Sequence, residues 1–364
     1  MKPKALFILH LPPPVHGSSM VGMQIKNSKL INNNFDVCYV NLNTSLNVNQ
    51  IGKLNLSKIK AYLNILYTVF LHLLKNKYSI VYIAPTVSGG GFYKDFWVVA
   101  LVKIFHYKKI FLHLHNKGCS KNKGKLNTFL YRIFFKNTVV ILLSKLLYVD
   151  IIEYVKEDQI RICPNGIDVL NLNESDFSKR STNGTINILY LSNLIKTKGI
   201  FDLVDACKIL KDKNVPFRCN LVGGEGDISI ENLSNYIKQL DLENEVKYLG
   251  KKYNEEKKEI FLKSEIFIQP TLNDVLPLVI IEAMQFKLPV ISTNEGGIPD
   301  LVIDNYNGFI VDKNNPRMLA ERLELLISNK QLREELGNNG KKLFFEKYTF
   351  DQFEFNLFEI LKNN

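Results

Sequence analysis

Ile266-Phe-Ile-Gln-Pro-Thr-Leu-Asn-Asp-Val-Leu-Pro-Leu-Val-Ile-Ile-Glu-Ala-Met284, followed closely by Leu288-Pro-Val-Ile-Ser-Thr293, is the stretch that decides the fold. Ile266–Gln269 reads as a short strand, too apolar to show one solvated face. A loop carrying Asn273 and Asp274 follows. A helix then opens near Pro277, where proline is tolerated because a first-turn N–H has no intrahelical acceptor. Val290–Thr293 resumes the extended pattern. Strand, helix and strand at this spacing form a βαβ unit of a parallel sheet.

The same alternation runs outward in both directions. Upstream strands are expected at Ala5–Leu9, Asp36–Leu42, Ile80–Ala84, Lys109–His113, Thr138–Leu143 and Gln159–Ile162. Helical patterns lie between them at Ser18–Asn32, Ser57–Lys75, Phe92–Phe105, Leu126–Phe135 and Ser144–Val155. Asn171–Thr185 is rich in Asn, Ser, Asp and Thr and reads as a linker. Beyond it come strands Ile186–Leu191, Phe217–Val222, Val246–Leu249, Ile266–Gln269, Val290–Thr293 and Gly308–Val311. Their helices are Gly199–Lys211, Ser229–Leu240, Glu255–Lys263, Leu278–Phe286 and Pro316–Ile327, closed by Lys330–Lys347 and Phe350–Leu361. The expected architecture is two doubly wound α/β domains, 1–172 and 186–348, with 173–185 as linker and 349–364 as a final helix. Such sheets bind ligands beyond the carboxyl ends of their strands, and a tandem pair can face one cleft.

Composition excludes several other classes. Hydrophobic residues make up 46% and charged residues 23% of the 364, too apolar for a disordered chain. Five cysteines without a C-x-x-C pair argue against a disulfide scaffold or zinc ribbon. The longest charge-free stretch between 54 and 77 is Ala61–Leu74, too short to span a bilayer. The segment after Met1 lacks a signal-peptide pattern, so a cytoplasmic protein is expected. Charge is unevenly placed: residues 1–170 hold 22 basic and 7 acidic residues, the remainder 25 and 29.

Several strand-end loops carry candidate ligand chemistry. His16-Gly17-Ser18-Ser19 ends the first strand's loop, where glycine lets a phosphate approach a helix N-terminus. The plainer reading is a turn capped by Ser18 or Ser19. Gly223-Gly224-Glu225-Gly226 is a second such loop, but Ser229 breaks the dinucleotide fingerprint and no ribose acid ends the next strand. Lys196 and Lys198 precede a helix start at Gly199, as would suit a diphosphate, or they are solvated surface lysines. Asp274 and Glu282 are acids eight residues apart, suited to sugar hydroxyls, with the N–H groups of Leu278 and Val279 free for an anion. Glu282 also reads as a helix-dipole partner. His113 and His115 share one side of a strand end. Without a third ligand nearby or any D-x-D, a site without metal is expected.

In order and spacing these pieces resemble a family 4 glycosyltransferase of the two-domain GT-B fold, of the bacterial polysaccharide and lipopolysaccharide type. The matching residues are Pro13–Gly17, His113–His115, Pro164–Asp168, Ser192–Leu194 with Lys198-Gly199, Gly223–Gly226, Asp274–Met284 and Gly296–Asp300. The resemblance implies retaining, metal-independent transfer from a nucleotide-sugar donor, UDP- or GDP-linked, with no cofactor. It implies that Gly17, Asn193, Lys198, Gly224, Leu276, Pro277, Leu278, Val279 and Glu282 hold the donor. It gives catalytic roles to His115, Lys198, Asp274 and Glu282. Asn193 stands where the family commonly has Arg, and Asp274 where it has Glu. The last helix is expected to pack back on the first domain.

Two alternatives are a nucleotide-sugar epimerase of the same fold and an NAD-dependent oxidoreductase. Nucleic-acid binding would require a recognisable basic module, and none is found. Once the second domain is assigned to the donor, the basic surplus falls on the acceptor side. It points to a glycan or lipid-linked oligosaccharide acceptor and to peripheral docking on an anionic inner membrane face. Lys117, Lys121, Lys123 and Lys125 are its densest cluster, and Ser57–Lys75 adds an amphipathic body flanked by lysines.

Overall fold

Strands bury as continuous apolar runs when helices cover both faces of a sheet. Ala5 to Leu9, Val81 to Ile83 and Ile266 to Ile268 are all fully buried in this way. The computed structural model describes residues 2–44, 56–105, 109–180 and 184–363. It divides into two units, Met1–Gly166 with Phe350–Asn364, and Ile167–Thr349.

The first unit runs β1 (Lys4–Leu9), α1 (Gly17–Asn27), α2 (Lys29–Asn34), β2 (Asp36–Asn41), α3 (Leu56–Lys75), β3 (Ile80–Ile83), α4 (Gly89–Phe105), β4 (Lys109–Leu114), α5 (Lys125–Phe135), β5 (Val139–Leu142) and β6 (Ile160–Ile162). Its sheet is parallel, in the order β2-β1-β3-β4-β5-β6. Aromatic side chains pack between α4 and α5, with the Phe92 and Tyr131 rings 4.3 Å apart and tilted by 34°.

The second unit runs β7 (Ile186–Leu191), α6 (Ile200–Asp212), β8 (Phe217–Val222), α7 (Ile230–Gln239), β9 (Val246–Tyr248), α8 (Asn254–Lys263), β10 (Ile266–Gln269), α9 (Leu278–Gln285), β11 (Val290–Thr293), α10 (Ile298–Leu301), β12 (Gly308–Val311), α11 (Pro316–Ser328) and α12 (Lys330–Lys347). Its parallel order is β12-β11-β10-β7-β8-β9. The final helix, α13 (Phe350–Asn363), packs in the first unit. There Glu354 Oε1 accepts from the Ser28 hydroxyl at 2.5 Å, and the Phe358 ring meets Phe35 at 6.1 Å.

Strand order reverses between β1 and β3 in one sheet and between β7 and β10 in the other. In doubly wound sheets the loops at that reversal form the ligand crevice. The second unit's crevice is therefore bounded by the loops after β7 and β10, where Lys198 and Asp274 lie.

All expected strands are present, within one residue at each end. Two helices differ from expectation. Ser18–Asn32 is not one helix: it breaks at Ser28, whose backbone leaves the helical region (φ −58°, ψ 118°). The Ser28 hydroxyl caps α2 by accepting from Ile31 N–H, while Glu354 on α13 accepts from Leu30 N–H. Ser144–Val155 is likewise not an α-helix. It forms a short 3-10 segment, Lys145–Asp150, followed by turns. Its buried Asp150 carboxylate accepts from the N–H groups of Gly118, Cys119 and Ser120, tying the segment to the loop after β4. In the expected linker, Glu174–Lys179 forms a 3-10 turn, and Arg180 donates to Phe286 O within the second unit. Residues 181–183 of that linker lie outside the described residues. The five cysteines are free thiols, all but Cys38 buried.

Candidate functional site

The second unit's crevice is drawn together by glycine. Gly199, at φ +74°, lies so close to the β10 loop that a Cβ would sit 1.9 Å from Pro270 O. Leu272 N–H donates to Thr197 O at 2.7 Å, and the Thr271 hydroxyl donates to the same carbonyl. This seam brings Lys198 Nζ to 2.6 Å from Asp274 Oδ2. The Lys198 and Asp274 side chains are 21% and 15% exposed, so the pair is accessible at one edge. Asp274 Oδ2 also accepts from Gln269 Nε2, and Oδ1 from Val275 N–H. Gly296, at φ +57°, supports the same loop: its Cβ would fall 2.4 Å from Asp274 O. Buried Glu295 accepts from Asp274 N–H and pairs with Lys313.

Glu282 lies one turn into α9. Its Oε1 is 2.6 Å from Lys257 Nζ on α8, while its buried Oε2 has no hydrogen-bond partner. A buried carboxylate oxygen left unpaired is costly, and a ligand hydroxyl would satisfy it. Pro277 is the N-cap of α9, so Leu278 and Val279 supply first-turn N–H groups without an acceptor inside the helix. Leu276, two residues ahead of α9, is buried.

Asn193 and Gly224 also meet. The Asn193 Oδ1 accepts from Gly224 N–H at 3.2 Å, and Leu194 N–H donates to Gly224 O at 2.7 Å. A Cβ at Gly223 would clash with Ser192 O at 1.8 Å, and one at Gly224 with the Lys251 side chain at 1.9 Å. Gly223 thus lets one loop pass over another, whereas the flexible end of Lys251 is free to move aside from Gly224. Asn193 braces the turn, a use that a longer arginine side chain would not reproduce.

The first unit holds its candidates separately. Gly17 opens α1, and a Cβ there would meet open space. The cap is His16, in place of the expected Ser18 or Ser19: Ser19 N–H donates to His16 Nδ1, and His16 N–H to Ser19 Oγ. His113 in β4 and His115 just beyond its end do lie together, with rings 4.3 Å apart. His113 is fully buried and hydrogen-bonded to the Tyr82 hydroxyl at 2.6 Å, leaving His115 the more accessible. Burial, with neighbouring His10, pushes His115 down to about 3 and His16 to about 4. Both are neutral imidazoles at pH 7, able to hydrogen-bond but carrying no charge.

Three residues here escape a sequence reading. His10 shares a 2.7 Å hydrogen bond with Asn43, lies 4.0 Å from Asp95 Oδ2, and meets the His16 ring at 6.0 Å. Asp95 is fully buried on α4 beside Lys94. Lys257, partner of Glu282, sits among surface lysines and glutamates of α8 with nothing local to single it out. His10 alone had a signal, as the first residue after a fully buried strand.

With this geometry in hand, the class is clear: two parallel six-stranded doubly wound units define the GT-B fold. Solved structures agree over the whole chain. Sucrose-phosphate synthase from Thermosynechococcus elongatus superposes with a TM-score of 0.81 at 17% identity, covering 99% of this chain and 98% of that one. Anabaena HepE in complex with UDP-glucose gives 0.76 at 18% identity, covering both chains fully. Residues 173–343 match the family model for glycosyl transferases group 1. Over 167 residues the chain is 30% identical to the capsular polysaccharide biosynthesis glycosyltransferase CapM of Staphylococcus aureus, 46% of this chain and 43% of that one. The match thus spans less than half the length of that relative. The epimerase and oxidoreductase alternatives gain no support from these comparisons.

Proposed function

We propose that the protein is a retaining, metal-independent glycosyltransferase of bacterial surface polysaccharide biosynthesis. It moves a sugar from a UDP- or GDP-sugar to a glycan acceptor, lipid-linked, at the cytoplasmic membrane face. The observation that carries this reading is the unpartnered Glu282 Oε2 one turn into α9, the helix that follows the β10 loop in which Asp274 meets Lys198. A carboxylate, a lysine and free helix N–H groups recognise a sugar nucleotide's hydroxyls and its diphosphate together.

The chemistry follows from these groups. The bond between the sugar C1 and the diphosphate oxygen breaks, with its electron pair going to the diphosphate. Lys198 and the α9 N-terminus oppose the charge that develops there. The acceptor oxygen attacks C1 from the departing side, and its proton passes to the leaving phosphate oxygen. Asp274, held by Lys198, takes sugar hydroxyls in this reading, and Glu282 takes the ribose or sugar. Gly17 and His115 of the first unit keep the roles that the resemblance gives them, His115 as a neutral hydrogen-bonding group toward the transferred sugar. HepE is described in complex with UDP-glucose, which supports a uridine nucleotide as the first donor to try.

A donor screen against lipid-linked and soluble glycan acceptors, with linkage read by NMR, tests the assignment. Product with retained anomeric configuration in the presence of chelator is expected. An inverted product or an absolute metal requirement contradicts it.

A further inference from the structure

Crossovers from β2 to β3, β3 to β4 and β4 to β5 all step toward the same sheet edge. Right-handed connections therefore place α3, α4 and α5 on one face. They touch in sequence across it. The Tyr62 hydroxyl donates to Lys94 O at 2.9 Å, and the Tyr93 hydroxyl to Asn127 Oδ1 at 2.8 Å. The Phe70 and Phe105 rings meet at 5.5 Å.

The outer side of this layer is apolar. Leu63 and Tyr67 on α3, Trp97 and Ile104 on α4, and Leu126 and Phe129 on α5 are 58–75% exposed. Each pair sits at i+3, i+4 or i+7, so each helix turns an apolar stripe outward as well as inward. A helix layer facing only water would show polar residues there. An apolar patch of this extent marks an interaction surface.

Charge selects the partner. Every charged side chain on the three helices is cationic except Asp95, which is fully buried and 2.7 Å from Lys94; exposed Lys60 lies on α3 three residues before Leu63. A second copy presenting the same face would set cations against cations. An anionic bilayer complements both the stripe and its charge, and Trp and Tyr favour the headgroup level. We propose that the outer face of α3, α4 and α5 docks on an anionic lipid bilayer. The inference deepens the lipid-linked acceptor reading and rests on it for its purpose. It also moves the centre of contact away from the Lys117–Lys125 loop, where Lys123 is paired with Glu153 at 2.5 Å.

Trp97 is the chain's sole tryptophan, so its emission reports this face directly. The full chain is mixed with vesicles of phosphatidylcholine alone or with phosphatidylglycerol added. A blue shift and co-flotation with the anionic vesicles, reversed by high salt, are expected. Leu63→Ser with Phe129→Ser lowers partition by more than ~tenfold, and Lys60→Ala by roughly fivefold. Both leave Tm and turnover on a soluble acceptor unchanged. No shift with anionic vesicles, or wild-type flotation of the double variant, overturns the proposal. So does a blue shift that grows with protein concentration without lipid, which would assign the face to a second copy. If the shift occurs but no sugar is transferred from any donor, the enzymatic reading fails and the docking face stands.

Discussion

Lys198 Nζ and Asp274 Oδ2 are 2.6 Å apart across the seam between the loops of β7 and β10, two adjacent parallel strands. The pair sits at the reversal of strand order, where the fold provides a crevice whatever the sequence. Two residues far apart in the chain thus become one polar pair, with the lysine held in place by the carboxylate.

In the proposed mechanism, Lys198→Ala removes the cation facing the leaving diphosphate. Turnover should fall by about 10²–10³, the usual cost of one preorganised charge-stabilising donor. Asp274 loses its partner in the same variant, so donor affinity falls as well. Steady-state kinetics with titration of the nucleoside diphosphate separate the two effects.

Glu282→Gln keeps the shape but gives up the anion. A hydrogen bond to a charged group contributes about 1.5–3 kcal/mol, so donor KM should rise roughly 10- to 100-fold. The change should fall mainly on KM, because a ribose contact is made in both ground and transition states. Equal losses in kcat and kcat/KM would place Glu282 at the reacting sugar.

Gly199→Ala tests the seam. A side chain at φ +74° costs about 1–3 kcal/mol in backbone strain alone, before its clash with Pro270 O. Urea unfolding should show that loss or more, together with weakened donor binding. A variant as stable as wild type would show that the two loops are not held together as described.

The histidines predict an acid dependence. Unfolded histidine titrates near 6.5, whereas native His115 is held down to about 3 and His16 to about 4. Below pH 6.5 the unfolded chain takes up protons that the native one refuses. Their stabilisation is therefore fully present above 6.5 and declines as pH falls toward 4. Thermal unfolding from pH 7 to pH 4 should show Tm falling, less steeply in His115→Asn.

The strands were legible because burial on both faces leaves a local mark, an apolar run bounded by turn residues. Lys198 and Asp274 stand out as candidates because they are polar residues in the loops that follow such runs, and Glu282 because it is an acid in the otherwise apolar opening of a helix. The helix breaks were not. Ser28 ends α1 because Glu354, at the far end of the chain, holds it, and Lys145–Asp150 tightens because Asp150 binds the loop after β4. Lys257 and Asp95 are set by contacts between elements and leave no local signature. Asn193 looked like a missing charge, and its structural use as a brace for Gly224 emerges only with the fold.

Calorimetric titration of UDP-glucose and GDP-sugars into wild type, Lys198→Ala and Glu282→Ala tests the central claim most directly. One sugar nucleotide should bind wild type at a single site, with affinity at least ~tenfold weaker in each variant while Tm stays within a few degrees. Binding of unchanged affinity in both variants would place the donor elsewhere and contradict the assignment of Lys198, Asp274 and Glu282.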